Sequence, residues 1–318
     1  MTNYMDQLPH IDILLATYNG ERFVEEQIRS LLEQTYPHWR MIIRDDGSTD
    51  NTPSIIHRYE QKYPDKITVV DDGQTNLGVC RNFAKLLEQS TADYIMFCDQ
   101  DDVWLPEKVQ LTFEKMKIME GRYGCDLPLL VYTDMKVVDE NLNSISDSYW
   151  KHQAINPKSG RLLNRLLVSN AVIGCTMMFN KKLKELSLPL PLKALMHDWW
   201  LALVSVAFGK NDYIHQSTTL YRQHRSNIVG ARWSLSLRGI VTQIINAQKH
   251  KDYLHKSQEQ AAVFAARYKQ LLNIIDLQKI EIYSHLKDQN CLKKRYWIIR
   301  YKFWWAGFVR SIAMLILA

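Results

Sequence analysis

From His10 to Asp102, short apolar runs alternate with stretches whose apolar residues recur every three or four positions. IDILLAT, RMIIRDD, KITVVDD and YIMFCD read as strands, and ERFVEEQIRSLLEQT, NTPSIIHRYEQKY and the region around Leu86 read as helices. This alternation predicts parallel strands joined by crossover helices in an open α/β sheet. Ligands are then expected beyond the carboxyl ends of the strands. Three of those ends carry polar clusters: Thr17-Tyr18-Asn19, Asp45-Asp46-Gly47-Ser48, and Asp99-Gln100-Asp101-Asp102. Clusters recurring at one sheet edge predict a single site.

The pattern continues with strand-like runs at LLVYTDMKVVD and AVIGCTMMFN, followed by the helical HDWWLALVSVAFG. Leu129 to Gly230 reads as the second half of the same domain, with no Gly/Ser-rich linker between the halves. After Trp233 long helical patterns take over. Apolar residues at helical spacing there (Val263, Leu271, Ile274, Ile275, Leu277, Ile280) predict a packed hairpin or a self-association face, and so allow a homo-oligomer. The divisions expected are 1–232, with halves at about 1–102 and 103–232, then a helical extension 233–292 and a tail 293–318.

The chain has 318 residues and 46% hydrophobic types, enough for a large core. Its amino terminus lacks a basic segment followed by an apolar stretch, which predicts an intracellular protein. Five scattered cysteines with no C-x-x-C pair fit a reduced cytosol and not a zinc site. The net charge of +6 resides in the tail: Cys291 to Ala318 holds six basic residues and no acid.

The tail interleaves cations with Tyr296, Trp297, Tyr301, Phe303, Trp304 and Trp305. Such rings favour the headgroup level of a bilayer, and the cations favour anionic lipid. Phe303 to Ala318 is 16 residues with Arg310 inside, short of the ~20 needed to span. An in-plane anchor on the inner face of the cell membrane is the expectation. The alternative is a helix packed on the α/β domain or in a dimer interface. Nucleic-acid binding is not expected, because the charge lies in an apolar tail rather than across a polar face.

DYIMFCDQDD sets carboxylates directly after a buried strand, where charge is unfavourable unless a cation or hydrogen bonds compensate it. Oxygen ligands point to Mg²⁺ or Mn²⁺. Asp102 could instead cap a helix starting near Leu105-Pro106. IIRDDGSTDNT is half ordinary turn chemistry. Together with LATYNGERF and with Asn76, Gly78, Arg81 and Asn82 of NLGVCRNF, it becomes specific.

These motifs resemble glycosyltransferase family 2, nucleotide-sugar enzymes of the GT-A fold: Ala16-Thr17-Tyr18-Asn19, Asp45 to Asp50, Asn76-Leu77-Gly78 and Asp99-Gln100-Asp101-Asp102. The resemblance implies that Thr17, Tyr18 and Asp46 line the base and ribose, with Asn19, Glu21, Asn76, Gly78, Arg81 and Gln100 also on the nucleotide-sugar side. Asp99 would sit near the sugar or ribose, and Asp101 of this DXD-type motif would hold the metal. LLVYTDMKVVD, MHDWWLALVSVAFGK and LYRQHRSNIVGAR are similar to the bacterial rhamnosyltransferase branch that builds rhamnose-rich cell-wall polysaccharide. That similarity implies dTDP-L-rhamnose as donor and a lipid-linked saccharide as acceptor, in α-1,3 or α-1,2 linkage.

Single displacement onto a hydroxyl needs a general base. Asp198 is the candidate, ahead of an apolar helical run where it could alternatively be an N-cap. His224 is expected to complete the metal shell or touch the diphosphate, although an isolated histidine is more often structural. Many family members carry Gln-x-x-Arg-Trp here, and this chain does not. His197, Trp199 and Arg222 are expected near the acceptor or the diphosphate, with Arg222 equally readable as a solvated charge. Three competing readings remain open at this point. One is a family member using UDP-glucose, UDP-galactose or UDP-GlcNAc, and another a non-catalytic sugar-nucleotide-binding protein at a membrane. The third is a sugar-phosphate nucleotidyltransferase, whose Gly-rich phosphate loop LATYNGERF matches poorly.

Overall fold

The computed structural model describes residues 8–224 and 247–305, with Ser311 and Leu315. In chain order the elements are β1 (Ile11–Thr17), α1 (Val24–Leu32), β2 (Trp39–Asp45), α2 (Thr52–Lys62), β3 (Ile67–Val69), α3 (Val79–Gln89) and β4 (Tyr94–Asp99). Then come β5 (Val103–Trp104), α4 (Lys108–Tyr123), β6 (Leu129–Val138), β7 (Ser144–Ser146), α5 (Tyr149–His152), α6 (Leu163–Leu166), β8 (Met177–Asn180), α7 (Lys181–Ser187), α8 (His197–Phe208) and β9 (Lys210–Arg222). Three helices complete the described chain: α9 (Ala247–Tyr268), α10 (Ile274–Ser284) and α11 (Cys291–Tyr301).

The sheet runs β3-β2-β1-β4-β8-β6-β9-β5, with β7 on β6. β1 to β4 are parallel, so Thr17 lies level with Asp45, and Ala16 with Asp99, at one carboxyl edge. β8 is antiparallel to both β4 and β6, whereas β6 and β9 are parallel. Alternation on β1 divides the core, because successive side chains point to opposite faces. Ile13 and Leu15 pack with Val24, Ile28 and Val109 on one face, and Leu14 and Ala16 with Phe83 and Leu86 on the other.

Two sequence expectations change in the second half. Within AVIGCTMMFN only Met177–Asn180 is strand, and Gly174–Thr176 is a 3-10 turn. KNDYIHQSTTLYR is a long strand, β9, which periodicity misses because its register against β6 shifts around Asp134. Helix α8 is buried on all sides over its first nine residues, the property expected of a helix with packed neighbours all round. Its neighbours include the C-terminal helices. Phe264 and Tyr268 of α9 pack on Trp200, and Tyr283 of α10 and Ile298 of α11 join the same core.

Part of the tail is therefore structural. Phe303 is fully buried and Trp305 stacks on Tyr253 at 5.5 Å, whereas Tyr296 of α11 remains exposed. The expected boundary at 232/233 and most of the tail beyond Trp305 lie outside the described residues. Among the described residues no helix is long and apolar enough to cross a membrane.

Candidate active site

The carboxyl ends of β1 and β2 form a rim held by internal hydrogen bonds. Thr17 Oγ1 donates to Asp45 (2.8 Å), whose other oxygen accepts from the backbone of Gly47 and Ser48. Asp46 is 3% exposed, and its two oxygens accept from Leu77 N (2.9 Å) and Gly78 N (2.8 Å). It thereby fastens the Asn76–Gly78 loop, where Asn76 (φ 58°) and Gly78 (φ 79°) adopt the left-handed region. Arg44, fully buried, braces this arrangement through Asp72 (2.8 Å), Asn82 (2.9 Å) and Asp46 (3.3 Å).

The neighbouring loop is fastened in the same manner. Gln100 accepts from Tyr18 N (2.8 Å) and donates to Tyr18 O (2.9 Å), leaving the Tyr18 ring exposed. Asn19 accepts from Thr49 N and Glu21 from Asn51 N, each at 2.9 Å. Thr17, Asn19, Glu21, Asp46 and Gln100 thus come together, and their hydrogen bonds shape the rim. Arg81 donates to Leu190 O (3.3 Å).

The end of β4 gathers the acids. Burial, with the charges of Asp101 and Asp198, pushes the Asp99 carboxyl up to about 7. Asp102 is wholly buried; it accepts from Arg222 N at 3.3 Å, and its Oδ2 is without a hydrogen-bond partner. Burial and the neighbouring acids raise its titration too. It does not cap the following helix, whose N-cap is Glu107. Cys175 Sγ and oxygens of Asp99 and Asp102 lie within 4.8 Å of one another. Beneath them the buried Lys108 ammonium donates to Cys175 O (2.7 Å) and Thr219 Oγ1 (2.6 Å), and burial lowers its titration to about 8.

Asp101 is a half-buried metal candidate, its side chain 18% exposed, and its Oδ2 lies 2.7 Å from His224 Nε2. An imidazole nitrogen and a carboxylate oxygen at that separation, beside crowded acids that a dication would relieve, form a donor set suited to Mn²⁺ or Mg²⁺. Phe23 stacks on His224 (4.9 Å), and Arg222 lies over the Phe23 ring (4.8 Å). Arg222 is not a solvated charge: it donates to Asp101 O (2.9 Å) and Glu140 O (2.6 Å) and pairs with Glu26.

Asp198 stands in the first turn of α8, but the N-cap is Met196, so the capping alternative does not hold. Its oxygens accept from Gly174 N (2.9 Å) and Trp199 N (2.6 Å). Burial outweighs these bonds and raises its titration to about 6. The other two members of this motif lie in the core. His197 stacks on Phe83 at 4.0 Å with both ring nitrogens unpartnered, and burial holds it neutral, lowered to about 3. Trp199 donates to Leu166 O (2.5 Å) and stacks on Tyr253. Both fix α8 and with it Asp198. Sequence reasoning missed Arg44, Lys108, Gly174, Cys175 and Phe23. An Arg inside the otherwise apolar run RMIIRD was the available signal for Arg44; Lys108, between Glu107 and Val109-Gln110, offers none of that kind.

Residues 12–187, more than half of the chain, match the family model described as Glycosyl transferase family 2. The chain is 29% identical over 235 residues to dTDP-rhamnosyl transferase RfbG of Shigella flexneri, covering 70% of this chain and 76% of that protein. It is 28% identical over 239 residues to the putative teichuronic acid biosynthesis glycosyltransferase TuaG of Bacillus subtilis, covering 73% and 85%. Among solved structures it resembles S. aureus TarS 1-349 (TM-score 0.54, 16% identity, 91% of this chain and 78% of that one). It also resembles mannosyltransferase PcManGT from Pyrobaculum calidifontis, solved with GDP-Man and Mn²⁺ (TM-score 0.52, 15% identity, 98% and 87%). The shared fold is GT-A.

Proposed function

The chain belongs to glycosyl transferase family 2, and from that premise we propose that it transfers L-rhamnose with inversion from dTDP-β-L-rhamnose to a lipid-linked saccharide. The linkage would be α-1,3 or α-1,2, formed during cell-wall rhamnose polysaccharide synthesis at the inner face of the membrane. The observation that carries the reaction type is Asp198: a buried carboxylate with titration raised to about 6, electrostatically coupled to Asp99 at the strand edge. At neutral pH it is ionised yet more basic than an ordinary carboxylate, which suits a general base.

In this reading the acceptor hydroxyl attacks the anomeric carbon while Asp198 takes its proton. The carbon–oxygen bond to the diphosphate breaks, and the electron pair leaves with the diphosphate. One displacement inverts a β-linked donor into an α-linked product. Asp101 and His224 would hold the divalent ion, which supplies charge neutralisation for the departing diphosphate. Asp46 and Arg44 position the Asn76–Gly78 loop, and Gln100 positions Tyr18, on the nucleotide side.

Rhamnose as the donor sugar rests on the RfbG likeness. A second reading, another nucleotide-sugar donor, draws on the comparable likeness to TuaG, a putative glycosyltransferase of teichuronic acid rather than rhamnose biosynthesis by description. The test is to offer the purified protein a panel of nucleotide sugars with lipid-linked mono- and disaccharides, in Mn²⁺, Mg²⁺ or chelator. Turnover with dTDP-L-rhamnose alone supports the first reading. Turnover only with UDP-glucose or another hexose donor supports the second, and no turnover with any donor refutes both.

A further inference from the structure

The C-terminal helices bury one side and leave several large apolar side chains exposed among polar ones on the other. Ile274 and Ile275 begin α10 at 82% and 66% exposure, and Leu292, Tyr296 and Ile299 on α11 are 79%, 57% and 57% exposed. The spacing 292, 296, 299 places the three on one face of α11. Along α10 the same rule aligns Ile274 and Ile275 with Gln278, Glu281, Ile282 and His285. The last three, with Leu292, Lys293, Tyr296 and Trp297, line a groove of about 770 Å³ between the helices. Isolated exposed apolar residues are ordinary, but a contiguous face of this kind marks a binding surface.

We infer that this α10–α11 face docks on an anionic lipid leaflet. The argument is charge complementarity. α11 carries Lys293, Lys294, Arg295 and Arg300 and no acid. The acid on the groove wall is Glu281, while Asp276 of α10 is paired with Lys279 at 2.7 Å. A second copy is the poorer occupant, because an isologous pairing would bring each α11, with its four cations, towards its symmetry mate. Anionic headgroups answer those cations while the interfacial region receives Tyr296 and the aliphatic side chains. The buried Phe303, Trp305 and Ile298 are the base of this surface, not its contact face. The inference deepens the proposed function, since it rests on the reading that the acceptor is lipid-linked and names the surface that would bring the catalytic cleft to it.

The test is flotation of the full chain with phosphatidylcholine vesicles, with and without phosphatidylglycerol. Wild type is expected to float with the anionic vesicles only, and less so as salt rises. The L292S/Y296S/I299S variant should lose at least tenfold in partitioning, and K293E/K294E at least roughly twentyfold, from about fivefold per cation. Leu292, Lys293, Tyr296 and Ile299 are exposed and Lys294 is half-buried, so circular dichroism and thermal melting should stay close to wild type and serve as the check on folding. Flotation of the triple variant equal to that of wild type overturns the inference. So does a wild-type dimer by light scattering that the same substitutions dissociate. Transfer to a short water-soluble acceptor should be unchanged in both variants. Failure of that transfer in wild type would count against the proposed function, and failure of flotation only against the docking face.

Discussion

Replacing Asp198 by asparagine removes the proposed general base and a buried charge that folding disfavours. Its carboxyl is raised from 3.8 to about 6. At 1.36 kcal/mol per unit, the ionised form destabilises the native state by about 3 kcal/mol. Because the native value is the higher one, the folded protein holds a proton between pH 3.8 and about 6 that the unfolded chain has released. Stability therefore falls as pH rises through that window, and the loss is complete above it. Asparagine removes the charge, but its amide nitrogen cannot accept from Gly174 N or Trp199 N, which costs about 1–3 kcal/mol. The two effects nearly offset, so at pH 7.5 the variant should lie within about 2 kcal/mol of wild type in urea unfolding. Wild type should gain about 1.4 kcal/mol relative to the variant on going to pH 5. Turnover, followed by nucleotide release, should fall by about 10²–10⁴. Wild-type kcat/KM should decline with unit slope below an inflection near pH 6. A folded Asp198→Asn protein retaining more than a tenth of wild-type turnover, or an acid limb lying at the ordinary carboxylate position, would refute the reasoning.

Three further outcomes are expected. Asp101→Asn and His224→Ala should each weaken Mn²⁺ binding at least tenfold by calorimetry; unaltered affinity in the folded variants would remove the pair as ligands. Gly174→Ala would set a methyl 3.1 Å from His197 Nε2 and 3.5 Å from Asp198 Oδ2. It should destabilise by about 1–3 kcal/mol and lower kcat more than it changes KM. Asp46→Asn leaves a loop N–H without its acceptor and Arg44 less compensated, so it should cost about 1–3 kcal/mol and raise the donor KM more than it lowers kcat.

The first half of the fold was legible because strands buried on both faces read as continuous apolar runs between amphipathic helices. IDILLAT, RMIIRD and YIMFCD became β1, β2 and β4 with the polar clusters at one edge. β9 was not legible, since a strand of alternating character interrupted by register shifts has no clean period. The acids were legible as a cluster but not in their division of labour. Asp102, readable as part of the acidic cluster or as a cap, is a buried acceptor for β9, and Asp46, expected on the nucleotide side, also fastens a loop. Those roles depend on residues more than thirty positions away. The Asp198 motif was read as one group, yet its histidine and tryptophan pack into the core while the carboxylate keeps company with Asp99. The C-terminal helices showed their apolar spacing, but spacing alone could not divide Ile280, wholly buried, from Ile274, almost fully exposed.

The measurement that tests the central claim most directly is the anomeric configuration of the product. The purified chain would be given dTDP-β-L-rhamnose, Mn²⁺ and a lipid-linked saccharide, and the new linkage read by NMR. The account predicts an α-L-rhamnosyl product whose formation disappears in Asp198→Asn. A β-linked product, or an α-linked one formed equally well by that variant, would contradict it.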